Sequence, residues 1–566
     1  MRRLLAQPTT SVQLGLLGVL AGLASALVII AFRLIIAKVQ LLFVDQFDNF
    51  STMDPLQRFL LPFIGVAFIA LIVLFSRDKH YRMGIPFVIH WIKMQKGAMP
   101  FRNAFNQFVG GAVALISGFS VGREGPSVHI GASSASYVGS WLKLPYNSIR
   151  TLTGCGISAG IAASFNTPLA AVVFVMEVVF REYKIHIFIP IMLAAVTGTM
   201  MTRLVFGDEH ELSFFTITSF SNINYPYLIV CATVISAAAF AINNSLMKTM
   251  LLVKPISIYV RLLIAALVTA IVGYLVPEAL GSGMGAIQFT LSGIQGYGYV
   301  SAIGFISAIL LGKFVATICA LGMGIPGGII GPVLGLGVLL GTLFGLLSGY
   351  LGFSGDHIAL YAVLTMAGLM AATLHSPLAA LVALLELTAN PDLIAPAMLV
   401  IAVSYTISVQ VFGNRSILIQ QLDYQKLPYR LSPATQTLQK VGVLADLDTD
   451  YKIIDNANDD EVRHYLAAIS KPTCLVIRDK YVVGCEFKIS EFAEPKKARE
   501  CVESALLKYT PLQGVSSQAT LAEAFELLQY QRDGAVYVYQ DSVENIIGII
   551  HWHYLRQLLV HRSKFT

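Results

Sequence analysis

The sequence predicts an all-α polytopic membrane domain built from two related, inverted repeats, followed by a cytosolic α/β tail. Three observations predict it. First, 55% of the 566 residues are hydrophobic and only 13% are charged, whereas a soluble domain carries about a quarter charged residues; the mean hydropathy is +0.69. Second, apolar stretches at 14–32, 59–75, 187–204, 227–242, 262–276 and 301–321 approach the ~20 residues a helix needs to cross the hydrocarbon core. Third, composition changes after Leu422, where charge rises and apolar runs shrink to strand length.

The elements follow in order. Met1-Arg2-Arg3 precedes the first apolar stretch, and Ala24-Ser25-Ala26 looks like a small-residue cleavage box. The run continues past it to Phe32, longer than a signal h-region, so it reads as a retained first helix. Arg2 and Arg3 then favour a cytoplasmic N-terminus, and the compact loops fit a multi-pass protein of a prokaryotic inner (plasma) membrane. The net charge of +6 is spread out, which gives no footprint for nucleic acid. The six cysteines lack metal-ligand spacing, so neither a metal site nor a disulfide framework is expected.

Residues 1–425 form the transmembrane domain, and 426–436, with Pro428 and Pro433, read as a linker. The tail then shows one pattern twice, as modules over 437–497 and 498–566. The first copy opens at Val443-Leu444-Ala445, followed by a helix over 459–468 and strands over 474–478 and 481–485. The second opens at Gly514-Val515, followed by a helix over 520–529, strands over 535–539 and 546–550, and a closing helix over 551–559. Thr520 and Glu523 have capping-box spacing.

The membrane part also repeats. Gly122-Arg123-Glu124-Gly125-Pro126 aligns with Gly328-Ile329-Ile330-Gly331-Pro332, and Pro168-Leu169-Ala170-Ala171 with Pro377-Leu378-Ala379-Ala380. Glu177 and Glu386 each follow their proline by nine residues. Secondary transporters place their substrate at the interface of such repeats, and Gly/Pro-broken segments point to it.

These residue types suit an anion. Helix N-termini offer backbone N–H groups and the positive end of the dipole, glycine permits close approach, and proline in the first turn wastes no donor. Three entries have this form: Gly84-Ile85-Pro86, 122–126 and 326–332. The plainer alternative, that Gly and Pro only shape helix packing, weakens with three such blocks, two of them repeat-related. Glu124 adds an intramembrane carboxylate, costly and functional by default. Seated at a helix N-terminus it would hold the anion's place, and protonation would release it, making it a pH-sensitive gate or proton carrier. Against this stands a plain salt bridge with Arg123; in the preferred reading Arg123 pairs elsewhere. Glu177 and Glu386 read as structural acids near helix ends. Lys313 either adds positive potential to the pathway or snorkels to an interface.

At these residues the chain resembles the CLC family of chloride channels and proton-coupled chloride exchangers. The segment 122–126 matches the family's GREGP motif in full, 328–332 is similar to its GxFxP segment, and Phe165-Asn166-Thr167-Pro168-Leu169-Ala170 to its FNxPLA stretch. The tail resembles a tandem pair of CBS modules. The resemblance implies a homodimer in membrane lipid, with one chloride pathway per subunit and protons as the second substrate of the exchangers. It implies Glu124 as the gating glutamate, and an anion site at Met83, Gly84, Ile85, Arg123, Gly125, Ile329, Ile330 and Leu418, with the amides of Ile329 and Ile330 at its centre.

The chain departs from the family pattern at three places. Met83 replaces the serine of the GSGIP motif, and Leu418 stands where a tyrosine is expected, so both side-chain hydroxyls of the central site are absent. Val178 occupies the place of the internal proton-transfer glutamate of many exchangers, a channel-like feature that some exchangers share. Three transport readings follow: chloride–proton exchange, passive voltage- or pH-gated chloride conduction, and the fluoride/proton antiport of the branch that carries methionine at the Met83 place but generally lacks the tail. An enzyme is not expected, because only His129 stands near Glu124 in sequence. In the tail, Tyr554 takes the place of the aspartate that holds ribose in nucleotide-binding CBS pairs. This argues against a nucleotide cofactor and leaves regulation by pH or dimer contact open. His551 and His553 read as two surface histidines.

Overall fold

The computed structural model describes residues 2–9, 11–76, 84–207, 225–292, 299–350, 358–455, 458–468, 474–479, 486–490 and 509–560. The chain forms two compact units, one of Gly15–Gly139 and Arg150–Tyr429, the other of Met1–Leu14, Ser140–Ile149 and Arg430–Thr566.

After the short α1 (Arg2–Ala6), the helices of the first half are α2 (Val12–Gln40), α3 (Pro55–Phe75), α4 (Gly84–Met94), α5 (Phe101–Ile116) and α6 (Glu124–Trp141). Then come α7 (Tyr146–Phe165), α8 (Pro168–Phe174), α9 (Ile185–Phe206) and α10 (Tyr225–Leu252). The second half holds α11 (Ile258–Leu275), α12 (Met284–Ser292), α13 (Tyr299–Met323), α14 (Ile330–Tyr350) and α15 (Ile358–Leu374). It ends with α16 (Pro377–Thr388), α17 (Ile394–Gln410) and α18 (Ile417–Tyr424). Among the described residues eight helical segments are long and apolar enough to cross a membrane, and five of the six apolar stretches read from the sequence lie inside a helix, the other, 262–276, ending at Val276, the C-cap of α11. This is an integral, multi-pass membrane protein.

Lipid supplies no hydrophobic drive between helices, so close packing there relies on small residues. A Cβ added at Gly160 of α7 would stand 2.7 Å from the Ser127 carbonyl of α6, and one at Gly337 of α14 2.6 Å from the Met366 Cα of α15. Every residue of α15 from Leu360 to Leu374 is buried. By contrast α4 and α18 have only 11 and 8 residues, and α8, with 7, is prolonged only by the 6-residue π-helix Val175–Phe180, so all three are too short to span. Irregular backbone at membrane depth survives only where protein buries it or a cavity solvates it.

The second unit carries a six-stranded sheet ordered β1 (Tyr451–Asp455), β2 (Cys474–Asp479), β3 (Glu486–Ser490), β4 (Thr510–Ser516), β5 (Ala535–Tyr539), β6 (Ile546–His551). The pairs β1/β2 and β4/β5 are parallel, and β2/β3 and β5/β6 antiparallel. Each parallel pair needs a crossover, supplied by α20 (Asp459–Ala468) and α21 (Leu521–Leu528), with α22 (Trp552–Val560) closing the chain. The capping box at Thr520 and Glu523 forms in full. Val443-Leu444-Ala445 is a 3-10 turn, because Val443 N–H donates to Ala519 O and Leu521 N–H to Val441 O, docking it against the start of α21; the strand before α20 is β1. Residues 433–438, partly assigned to the linker, form a helix, α19 (Pro433–Leu438), whose N-cap Ser432 accepts from Thr435 N–H. The strand expected over 481–485 lies outside the described residues. α1 and the α6–α7 connection belong to this unit: Ser148 Oγ donates to Leu5 O at 2.8 Å, Gly442 N–H to Ala6 O at 2.8 Å, and Tyr146 N–H to Gln518 O at 2.8 Å.

Candidate functional site

The two segments that align in sequence meet through their backbones. Gly122 N–H donates to Gly328 O at 2.7 Å and Gly328 N–H to Gly122 O at 2.7 Å. Directly beyond this bridge α6 starts at Glu124 and α14 at Ile330, so two helix N-termini open side by side. Their first N–H groups have no intrahelical partner, and both dipoles present their positive ends there. Only glycine fits the approach: a Cβ at Gly125 would lie 2.8 Å from Gly327 O, and one at Gly331 2.9 Å from Ser282 O.

Glu124 is 3% exposed. A Cβ at Gly328 would stand 3.0 Å from its Oε2, and one at Gly331 2.8 Å from its Oε1. The carboxylate therefore folds over the paired glycines and against the start of α14. Two cavities adjoin this point. One, of about 360 Å³, is lined by residues including Arg33, Asp48, Arg123, Asn166 and Ser282. The other, of about 100 Å³, is lined by residues including Gly84, Ile85, Gly125, Ile329 and Leu418. Arg123 faces the first and Gly125 the second, with Glu124 between them in the chain.

Residues 65–409 match the model of the voltage gated chloride channel family. The chain belongs to this family. An H(+)/Cl(-) exchange transporter ClcA of Salmonella arizonae is 27% identical over 434 residues, covering 74% of this chain and 89% of its own length. A CLC-type fluoride/proton antiporter of known structure is 24% identical, with a TM-score of 0.61, over 73% of this chain and 99% of its own. A eukaryotic CLC transporter structure, 16% identical with a TM-score of 0.59, covers 95% of this chain and 97% of its own, so that fold likeness reaches into the tail.

Five of the expected site residues in this CLC chain, Gly84, Ile85, Gly125, Ile329 and Leu418, surround the smaller cavity. Ile330 opens α14 beside Glu124 without lining it. Arg123 belongs to the larger cavity, its guanidinium 4.5 Å above the centroid of the Phe165 ring. Met83 lies outside the described residues. Gly84, at φ +79°, donates its N–H to His129 Nδ1 at 3.2 Å, and Pro86 has none to give, which leaves Ile85 as the first amide of that entry not so engaged. The His129 ring, fully buried, stacks on Phe87 with centroids 5.3 Å apart. It thus fixes the start of α4, a role its sequence position did not signal.

The charged residues sort themselves by the same geometry. Lys313 is 0% exposed, so it does not snorkel. Its Nζ donates to Ser120 Oγ at 3.3 Å, Ala279 O at 3.3 Å and Gly281 O at 3.2 Å. Asp48 accepts from Ser282 N–H at 3.0 Å and Ser282 Oγ at 2.8 Å. Glu177 accepts from Leu378 N–H at 3.1 Å and Ala379 N–H at 2.8 Å, at the start of α16. Glu386, in α16, accepts from Leu169 N–H at 2.8 Å and Ala170 N–H at 2.7 Å, at the start of α8. The two acids read as structural are thus reciprocal helix caps. Asp48, Arg33 and Gln107 were missed by sequence reasoning. Gln107 follows Arg102, Asn103 and Asn106 in α5, and Asp48 lies between Asp45 and Asn49, so neither stands out from its polar neighbours in the sequence.

In the tail, Tyr554 bonds Asp446, and burial, followed by that bond, pushes its phenol ionisation up. The reading of His551 as a surface residue is corrected. It ends β6, is 8% exposed, and its Nε2 lies 3.4 Å from Asp448 Oδ2. The cause is the docking of Asp448 on that strand, where Asp448 and Ile549 exchange backbone hydrogen bonds.

Proposed function

We propose that this protein carries chloride across the membrane in exchange for protons, with Glu124 as the gate. The observation that carries the reading is the Glu124 carboxylate lying over the Gly122–Gly328 pair, beside the N-terminus of α14. An ionised carboxylate there satisfies the N–H groups and dipoles that would otherwise hold an anion. Protonation removes its charge and its competition, so chloride and a proton use one position alternately. The amides of Ile85 and Ile329 hold the anion in the smaller cavity, that of Ile330 receives it at the head of α14 beside Glu124, and Arg123 serves the approach through the larger cavity. The exchange activity named for the Salmonella relative supports the coupling.

The same reading assigns the rest. The two halves are inverted repeats, supported by the reciprocity of Gly122 with Gly328 and of the Glu177 and Glu386 caps. The protein is a homodimer in lipid, for which the exposed apolar residues Leu169, Met200, Leu378 and Met398 of α8, α9, α16 and α17 provide a surface. The tail is a tandem CBS pair on the cytoplasmic side, with both termini there. A second reading, fluoride/proton antiport, is favoured by Met83 and by the likeness to the fluoride/proton antiporter.

Proteoliposome efflux with simultaneous proton recording tests these readings together. Chloride outrunning fluoride, with proton uptake that Glu124→Gln abolishes while chloride still flows, is the expected result. Fluoride outrunning chloride selects the second reading, and chloride flux that moves no protons makes the protein a passive channel. Unchanged flux and pH response in Glu124→Gln sink the gate.

A further inference from the structure

The smaller cavity has a donor deficit. Backbone amides approach it from three helix starts, but Leu418 brings an alkyl group where a hydroxyl would bond an anion, and Met83 in the adjoining motif has no hydrogen to donate. Among the described residues four polar side chains line the cavity: Gln107, Gln421, Tyr424 and Gln425. Tyr424 donates its hydroxyl to Met250 O at 2.9 Å, and Gln421 and Gln425 are half-exposed. Gln107 differs from these. It projects from the middle of α5, is 1% exposed, and its Nε2 has no hydrogen-bond partner among the described residues. Gly111, one turn on, packs against Pro126 in the first turn of α6, and a Cβ there would stand 3.7 Å from this Nε2.

A buried amide NH₂ without an acceptor costs about 1–3 kcal/mol, and buried polar groups in native proteins are almost always paired. An anion in the cavity resolves the deficit and the orphan together. It accepts from Gln107 Nε2, and its charge selects the amide rotamer that turns nitrogen inward and oxygen away. Building on the transport reading above, we infer that Gln107 is the side-chain anion ligand of the central site, supplying the hydrogen bond that Leu418 and Met83 do not. The site is then read by a neutral amide. Such a donor attracts an anion without a fixed positive charge that would trap it, in keeping with a pathway that must release its ion.

Chloride titration of the purified full-length protein by calorimetry, beside efflux from liposomes, tests this. Gln107→Met keeps the side-chain length and removes both donors; the dissociation constant for chloride should rise at least about tenfold, the loss of one hydrogen bond to a charged group. Gln107→Glu puts a carboxylate in the same place; chloride binding should be lost at neutral pH and return in acid, which a packing role would not produce. A Gln107→Met affinity within about twofold of the parent, or Gln107→Glu binding that ignores pH, overturns the assignment, and either variant alone decides if the other fails to fold. In those cases the parent's saturable chloride binding and its Glu124-dependent flux still stand, so the transport reading survives. A parent that neither binds nor carries halide removes both.

Discussion

Replacing Glu177 by alanine uncaps α16. Its carboxylate accepts two N–H groups, from Leu378 and Ala379, at a helix start that α16 cannot satisfy itself. Hydrogen bonds to a charged group contribute about 1.5–3 kcal/mol each, and two on one carboxylate are less than additive, so a loss of about 2–4 kcal/mol is expected. For a cooperative unit of about 400 residues the unfolding entropy, at ~2.1 cal/mol/K per residue, converts this to a Tm drop of roughly 2–5 °C. Glu386→Ala should cost a similar amount, because Leu169 and Ala170 lose the mirror cap. Both caps join α16 with α8 or with the π-helix Val175–Phe180 that continues it, so once one is broken the helices separate more easily and the second removal costs less. A double-mutant cycle should therefore show coupling of about 0.5–3 kcal/mol. The assay is thermal unfolding of detergent-purified protein, with Glu177→Gln, which keeps one strong acceptor, falling between parent and alanine variant. A Glu177→Ala protein melting within about 1 °C of the parent would refute the capping argument, since two charge-assisted hydrogen bonds of ordinary strength could not then be holding the start of α16.

Three further outcomes follow from the geometry. Gly328→Ala places a Cβ 3.0 Å from Glu124 Oε2 and closer still to Gly125 N; overpacking of this kind costs about 1–3 kcal/mol, and chloride efflux should fall with it, whereas normal efflux would place the path elsewhere. Leu418→Tyr returns a hydroxyl to the smaller cavity, and calorimetric chloride affinity should tighten up to about tenfold; an unchanged affinity would remove Leu418 from the site. Asp541 is held below the usual carboxylate range by its hydrogen bond to Lys143 and then by that charge. A depressed carboxylate stabilises above its unfolded value and stops doing so as pH falls through its folded value. Melting of Asp541→Asn should therefore differ slightly from the parent at neutral pH and merge with it in acid or high salt, both partners being exposed.

The membrane architecture was legible because its causes are local. A run of apolar residues needs no partner to declare itself, and Gly-Pro punctuation at 84–86, 122–126 and 328–332 marked the starts of α4, α6 and α14. The Thr520–Glu523 cap was readable for the same reason. What escaped depends on distant chain. Val443-Leu444-Ala445 opens the first module in the sequence, and only the distant Ala519, which takes the Val443 N–H, shows where it docks. His551 looks like one of two surface histidines until Asp448 is docked on β6. His129 and Gln107 sit among other polar residues of their helices, and spacing alone does not say that one caps Gly84 while the other faces a cavity. The capping partners of Glu177 and Glu386 lie 201 and 217 residues away; their equal offsets from Pro168 and Pro377 hinted at a shared role without naming it.

Glu124, Glu177 and Glu386 all place a carboxylate in the positive field of a helix N-terminus, and the difference between them is where function resides. Glu177 and Glu386 each reach across to another helix and accept two of its N–H groups, so moving either breaks tertiary structure. Glu124 begins its own helix and leans toward the start of α14. Its backbone stays anchored by the Gly122–Gly328 pair whichever way its side chain turns. An anion can replace its carboxylate there at little structural cost, because the competing groups present the same charge to the same field. Replacing Glu177 or Glu386 by glutamine should therefore lower Tm and leave the pH response of transport intact, while Glu124→Gln should do the reverse. Loss of pH response in the Glu177 or Glu386 variants would show that this division between fixed caps and a movable gate is wrong.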